Sequence, residues 1–213
     1  MPASSLAVGG LVPFTTIDFP GRLAAVVFCQ GCPLRCTYCH NPHLLPAGAG
    51  SLSWTEILAW LKTRSNLLNG VVLSGGEPLL QHGLAAALAE VRRLGFATGL
   101  HTAGIYPKRL AAVLPLLDWV GFDVKAPFNE YASVAGFDAG ARVRTALETL
   151  LASGVAHEIR STVPPGFDEA ALMRLREDLT RIGVSNLTLQ ECRVPGKSVA
   201  SYCTPGGSVS NRY

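Results

Sequence analysis

Residues 23–39 read LAAVVFCQGCPLRCTYC, and both the fold and the chemistry of the chain turn on this stretch. Residues 23–28 are a short apolar run with two valines and no turn residue, the mark of a buried strand. The rest crowds four cysteines, Cys29, Cys32, Cys36 and Cys39, into one short loop. Thiols this close in sequence cannot all reach disulfide geometry with one another, so they read as metal ligands. A zinc ribbon would hold two C-x2-C pairs apart by a longer stretch, whereas here the pairs almost touch. The alternative is an iron–sulfur cube held by thiolates. Cys32, Cys36 and Cys39 form C-x3-C-x2-C, three ligands on one loop that leave a fourth iron open to another molecule. Cys29 reads as a small buried residue at a strand end, the usual place of a free cysteine.

Outward from this stretch the chain alternates strands and helices. Buried strands are expected at 71–74 (VVLS), 96–101, 119–124 (WVGFDV), 157–163 and 185–190. Helices are expected from Ser53 to about Arg64, at 81–94, from Pro107, at 140–153 and at 168–182. Ser53 or Thr55 is the expected cap of the first, while Gly95, Gly154 and Gly183 close three of the others. Such alternation predicts a parallel α/β fold, either a doubly wound sheet or a partial barrel. Every polar motif falls at the C-terminal end of a strand, where both architectures place their sites. The expected division is an N-terminal extension over 1–22, a core over 23–193 and an irregular tail over 194–213.

Composition narrows the function. The 213 residues are 48% hydrophobic and 15% charged, which excludes a disordered or coiled-coil chain. A net charge of +3, with no basic block, gives no case for nucleic-acid binding. No apolar run approaches a membrane span, and the N-terminus lacks a basic leader region. The expectation is a soluble cytoplasmic protein.

The next motif is Ser74-Gly75-Gly76-Glu77-Pro78, whose glycines allow close backbone approach. Alone it could be a tight turn. Following C-x3-C-x2-C at the next strand end, it is similar to the S-adenosylmethionine (SAM)-binding motif of the radical SAM family. The resemblance then covers most of the chain. TIDFPGRLAAVVFCQGC, YCHNP, VVLSGGEP, LGFATGLHTAG, WVGFDVKAP, EIRSTV and LTLQECR resemble, in order, the glycyl-radical-enzyme activases. They are most similar to the activating proteins of anaerobic ribonucleoside-triphosphate reductase.

That resemblance implies a partial (β/α)6 barrel of parallel strands, one 4Fe-4S cluster on Cys32, Cys36 and Cys39, and SAM on the open iron. It implies one-electron cleavage of SAM to a 5′-deoxyadenosyl radical, which takes a hydrogen from a glycine of the partner reductase. A flavodoxin or ferredoxin would donate the electron. The implied SAM contacts are Gly75, Gly76 and Glu77 at the methionine group and Tyr38 at the adenine, joined by His40 and Thr102. Asp123 and Lys125 alternate along a strand and so share a face, as an ion pair or as SAM contacts. Arg160 and Gln190 are further candidates on later strands. His101-Thr102-Ala103-Gly104 stands where pyruvate formate-lyase activases carry Asp-Thr-Asn-Gly, whose Asp holds a cation, and Cys192 stands near their SAM-contacting His. Both departures favour the reductase-activating reading. A formate-lyase-type activase, a small-molecule enzyme such as 7-carboxy-7-deazaguanine synthase and a zinc module are the alternatives. Cys192 and Cys203 are too few to hold a second cluster.

Overall fold

The structure, a computed structural model, describes residues 6–163 and 168–192. The expected tail over 194–213, with Cys203, lies outside the described residues. Seven strands make one sheet in chain order: β1 Val8–Thr15, β2 Ala24–Cys29, β3 Gly70–Gly75, β4 Ala97–Thr102, β5 Trp119–Asp123, β6 Ala156–Val163 and β7 Thr188–Glu191. β1 runs antiparallel to β2, and every later neighbouring pair is parallel. The helices are α1 Trp54–Lys62, α2 Leu84–Arg93, α3 Pro107–Val113, α4 Tyr131–Ala135, α5 Gly140–Ser153 and α6 Glu169–Arg181.

A doubly wound sheet reverses its strand order at a switch point, whereas this sheet keeps sequential order throughout, as a barrel wall does. Among the described residues β1 and β7 stand at its two ends, so the barrel is partial. The six parallel strands overlap the expected ones, although β7 begins three residues later than expected, at Thr188. β1 comes from residues expected to be an extension, and α4 was not expected. Ser53 holds the N-cap position of α1, but its side chain makes no capping bond, contrary to expectation. Asp168 does cap α6, accepting from Ala170 N at 3.1 Å. α5 ends as expected at Gly154 in the left-handed region (φ 73°).

Strand alternation splits the interior in two. Outward residues of the strands, such as Ala25, Val27, Cys29, Val71 and Leu73, join the large core beneath the helices. Inward residues Ala24, Val26, Val72 and Trp119 form a second, smaller core with Phe19. Phe19 stacks on Trp119 with ring centroids 5.8 Å apart. A Cβ on Gly70 would sit 2.9 Å from the Phe19 ring, so glycine there makes room for it. The segment between β1 and β2 thus plugs the floor of the barrel, beside the starts of the strands. The opposite end stays open to the loops that follow the strands. Among the described residues no helix is long and apolar enough to cross a membrane.

Candidate active site

The cysteine loop leaves β2 and folds back on itself. Gly31 N donates to Leu44 O at 2.8 Å, Cys32 N to Leu45 O at 3.2 Å, and Gln30 Nε2 to Pro46 O at 2.8 Å. Arg35 ties the loop to the fold from both sides. Its amide donates to Ala135 O at the end of α4 (2.8 Å), and its guanidinium to Cys32 O (2.7 Å). Cys32, Cys36 and Cys39 are half-buried free thiols on the wall of one cavity of about 950 Å³. Cys29 is fully buried on the opposite face of β2, in the outer core. Burial pushes the Cys32 thiol up to about 12 and raises Cys36, so any metal these thiols took up would have to displace protons held by the free protein. Among the described residues no three His, Cys, Asp or Glu side chains group closely enough for a single metal ion.

The glycine motif sits against this loop. Gly76 N donates to Cys29 O (2.9 Å) and Glu77 N to Gly31 O (3.0 Å). Gly75 is left-handed (φ 112°), and a Cβ on it would collide with the Cys29 backbone. One on Gly76 would collide with the Gly31 carbonyl. Both glycines line the cavity, but their missing side chains serve first to let β3 approach the cysteine loop. Glu77 departs from expectation. Its side chain is buried and does not line the cavity. Oε1 accepts from Thr102 Oγ1 (2.6 Å) and Leu79 N (3.0 Å), and Oε2 from Ala103 N (2.9 Å). Burial raises its carboxyl pKa against the pull of these donors. Glu77 therefore ties β3 to β4, and Thr102 brings that tie to the cavity wall.

The remaining wall comes from β5, β6 and β7. Asp123 Oδ1 accepts from Arg160 Nε at 2.8 Å, and Oδ2 pairs with Lys125 Nζ at 3.3 Å. Burial works against the Asp123 carboxylate, but the two cations outweigh it and hold it well below the usual carboxylate range. Lys125 is held charged in turn, because Asp123 outweighs its burial. Gly121 leaves the space that Arg160 fills; a Cβ there would lie 2.9 Å from Cζ. Asp123 and Lys125 form the ion pair of the first reading, and both face the cavity. Tyr38, His40, Thr102, Arg160 and Gln190 line the same cavity. Cys192 does not line it and approaches His40 Nε2 at 3.8 Å from the end of β7.

Several wall residues were not read as site residues. Asp18, Ser74 and His101 line the cavity. His101 Nε2 lies 3.0 Å from Asp18 O and Nδ1 3.4 Å from Ser74 Oγ, so the imidazole links the floor plug to β3. The TIDFPG motif was the signal available for Asp18, and the inward parity of β3 and β4 was the signal for Ser74 and His101.

With this geometry in view, the comparisons are specific. The radical SAM superfamily model matches residues 26–179. A Methanocaldococcus jannaschii relative, named as a glycyl-radical enzyme activating enzyme, is 32% identical over 127 residues, 58% of this chain and 52% of its own length. The pyruvate formate-lyase-activating enzyme of Clostridium pasteurianum is 38% identical over 115 residues, 51% of this chain and 48% of its own. The chain spans about half the length of these curated relatives. QueE from Escherichia coli superposes with TM-score 0.62 at 20% identity, covering 87% of this chain and 84% of that one. A structure titled native anSMEcpe with bound AdoMet gives TM-score 0.63 at 19% identity, covering 81% and 52%. At these identities the two structures speak for the fold alone. The chain belongs to the radical SAM superfamily.

Proposed function

We propose that this radical SAM protein is a glycyl-radical-enzyme activase, and that its partner is an anaerobic ribonucleoside-triphosphate reductase. Superfamily membership implies a 4Fe-4S cluster and SAM, and the site residues suit both. Cys32, Cys36 and Cys39 are free and share one wall. The Tyr38 hydroxyl is buried on that wall with no hydrogen-bond partner among the described residues, which suits a bound polar ligand. When bound, the reduced cluster supplies the electron that splits the SAM sulfonium to methionine and a 5′-deoxyadenosyl radical.

The chain itself binds and orients. The three cysteines hold the cluster. Gly75 and Gly76 present backbone to the methionine end of SAM, and Thr102 is aligned beside them through Glu77. Tyr38 and His40 flank the cysteines. The Arg160–Asp123–Lys125 cluster adds one net positive charge at the cavity wall, matched to a carboxylate. Phe19 closes the floor and keeps water from entering below.

The observation that carries the reading is a cavity of about 950 Å³ that reaches from the cysteine loop to β1 at one end of an open sheet. That room accommodates SAM and a segment of a protein substrate. The reductase is favoured as partner by His101-Thr102-Ala103-Gly104, which departs from the Asp-Thr-Asn-Gly of formate-lyase activases; His101 is held by Asp18 O and Ser74 Oγ, with Arg160 Nη1 3.4 Å from its Nε2. A flavodoxin or ferredoxin is the proposed electron donor.

The test is anaerobic electron paramagnetic resonance on the reconstituted, reduced protein with SAM and the reductase of the same organism. The expected result is a glycyl-radical doublet that requires SAM and Cys36. Formation of 5′-deoxyadenosine without a doublet would redirect the chemistry to a small-molecule substrate. Neither product, at full iron content, would overturn the proposal.

A further inference from the structure

β1 carries two features that neither the cluster nor SAM explains. Val12 and Phe14 are 38% and 56% exposed, and both line the reaction cavity. An exposed phenyl ring on a cavity wall is out of place unless something covers it. β1 is also an edge strand. Beside β2, its other side is engaged among the described residues only at its start, where Val8 bridges Leu52 and Ser51 Oγ donates to Gly9 O. From Gly10 to Phe14 no described residue pairs on that side.

We infer that this stretch of β1 is the docking strand for the partner's glycine segment, which lies beside it in extended form with Val12 and Phe14 as its apolar seat. The inference rests on the activase reading and adds where and how the protein substrate is held. Three observations favour a peptide. The seat is continuous with the cavity that holds the cysteine loop, so a segment resting on it leads directly to the reacting end. The seat itself is uncharged: Val12 and Phe14 are apolar, and the cavity's cations, Lys125 and Arg160, stand beside Asp123, where their one net positive charge is already matched to the carboxylate of SAM. The seat therefore suits an uncharged stretch of backbone better than a small charged substrate. A free strand edge, finally, recognises backbone rather than side chains, which suits a segment whose reacting residue has none. Pro13 withholds one N–H in mid-strand, which limits pairing to the groups on either side and discourages self-association of the edge.

The test uses the full chain with its cluster reconstituted and the reductase as probe. Phe14→Glu should raise the KM for the reductase about tenfold or more while the rate at saturating reductase stays within about twofold. Leu67→Glu, at an equally exposed leucine outside the cavity, should change neither. Amide exchange in β1 should slow when the reductase is added. An unchanged KM for Phe14→Glu, with no added protection of β1, overturns the docking strand and leaves the activase reading standing. A wild-type protein that cleaves SAM but forms no glycyl radical overturns both. Protection of β1 in the free chain that disappears on removing residues 193–213 would assign the seat to the chain's own C-terminal segment and also overturn the inference.

Discussion

Cys29 and Phe28 are neighbours on one strand and belong to different worlds. Cys29 faces the helices in a core that includes Val27, Val71 and Leu73. Phe28 faces the barrel interior and lines the cavity. The same division runs through β3 and β4, where Leu73 and Leu100 are packed outward while Ser74 and His101 face in. The outer face has one task, burial against helices, and is mostly apolar, with Thr98 and Ser161 as buried polar exceptions. The inner face has two, divided by height. Its floor is apolar, with Phe19 stacked on Trp119, and its open end is polar, with Asp123 between two cations. Parity along a strand therefore decides packing or chemistry, and position along it decides floor or site.

This contrast can be broken at several points. The largest effect is expected for Cys36→Ala, which should abolish SAM cleavage and lose most of the iron, read by 5′-deoxyadenosine formation and iron analysis. Retained activity would remove Cys36 from the ligand set. Next is Phe19→Ala on the inner floor, where loss of a buried ring should lower stability by about 4 kcal/mol. Denaturant unfolding checks this, and a loss under 1 kcal/mol would show that the floor plug contributes little. Asp123→Asn should follow, with a loss of about 3 kcal/mol because Lys125 and Arg160 stay buried without their counter-charge. Its pH dependence is diagnostic. The folded pKa lies below the unfolded one, so the Asp123 contribution is present above the usual carboxylate pKa, about 4, and fades as pH falls through the folded value. Wild-type stability should therefore drop more steeply below about pH 4 than that of Asp123→Asn, and parallel curves would contradict the ion cluster. The smallest effect is expected on the outer face. Cys29→Ala should keep a normal iron content and lower stability by about 1 kcal/mol, whereas complete loss of iron would move Cys29 from packing to ligation.

Much of the fold was legible because each of its parts carries a local signal. β2, β3 and β5 are short apolar runs ended by glycine or polar residues, and α5 stops at the glycine that its pattern requires. β1 was not legible, because VGGLVPFT mixes two glycines and a proline into a strand and reads as loop. It forms because β2 offers an edge, which is a tertiary fact. The Ser53 cap failed for a related reason: a cap residue names a position, and its hydroxyl bonds only if the surrounding turn directs it there. In the site, the cysteine spacing and the glycine motif were readable. The task of Glu77 was not, since its partners Thr102 and Ala103 lie on another strand.

By itself, then, the sequence determined the strand–helix alternation and the spacing of three thiols on one loop, because both depend on contacts between residues near in the chain. Only the tertiary structure decided that the floor would be closed by Phe19. The same holds for Asp123 being shared by Lys125 and Arg160, and for Val12 and Phe14 sharing a cavity with the cysteines. Those meetings depend on how a twisted parallel sheet curls its inner face around one space, and that curvature belongs to the packed strands together rather than to any segment alone.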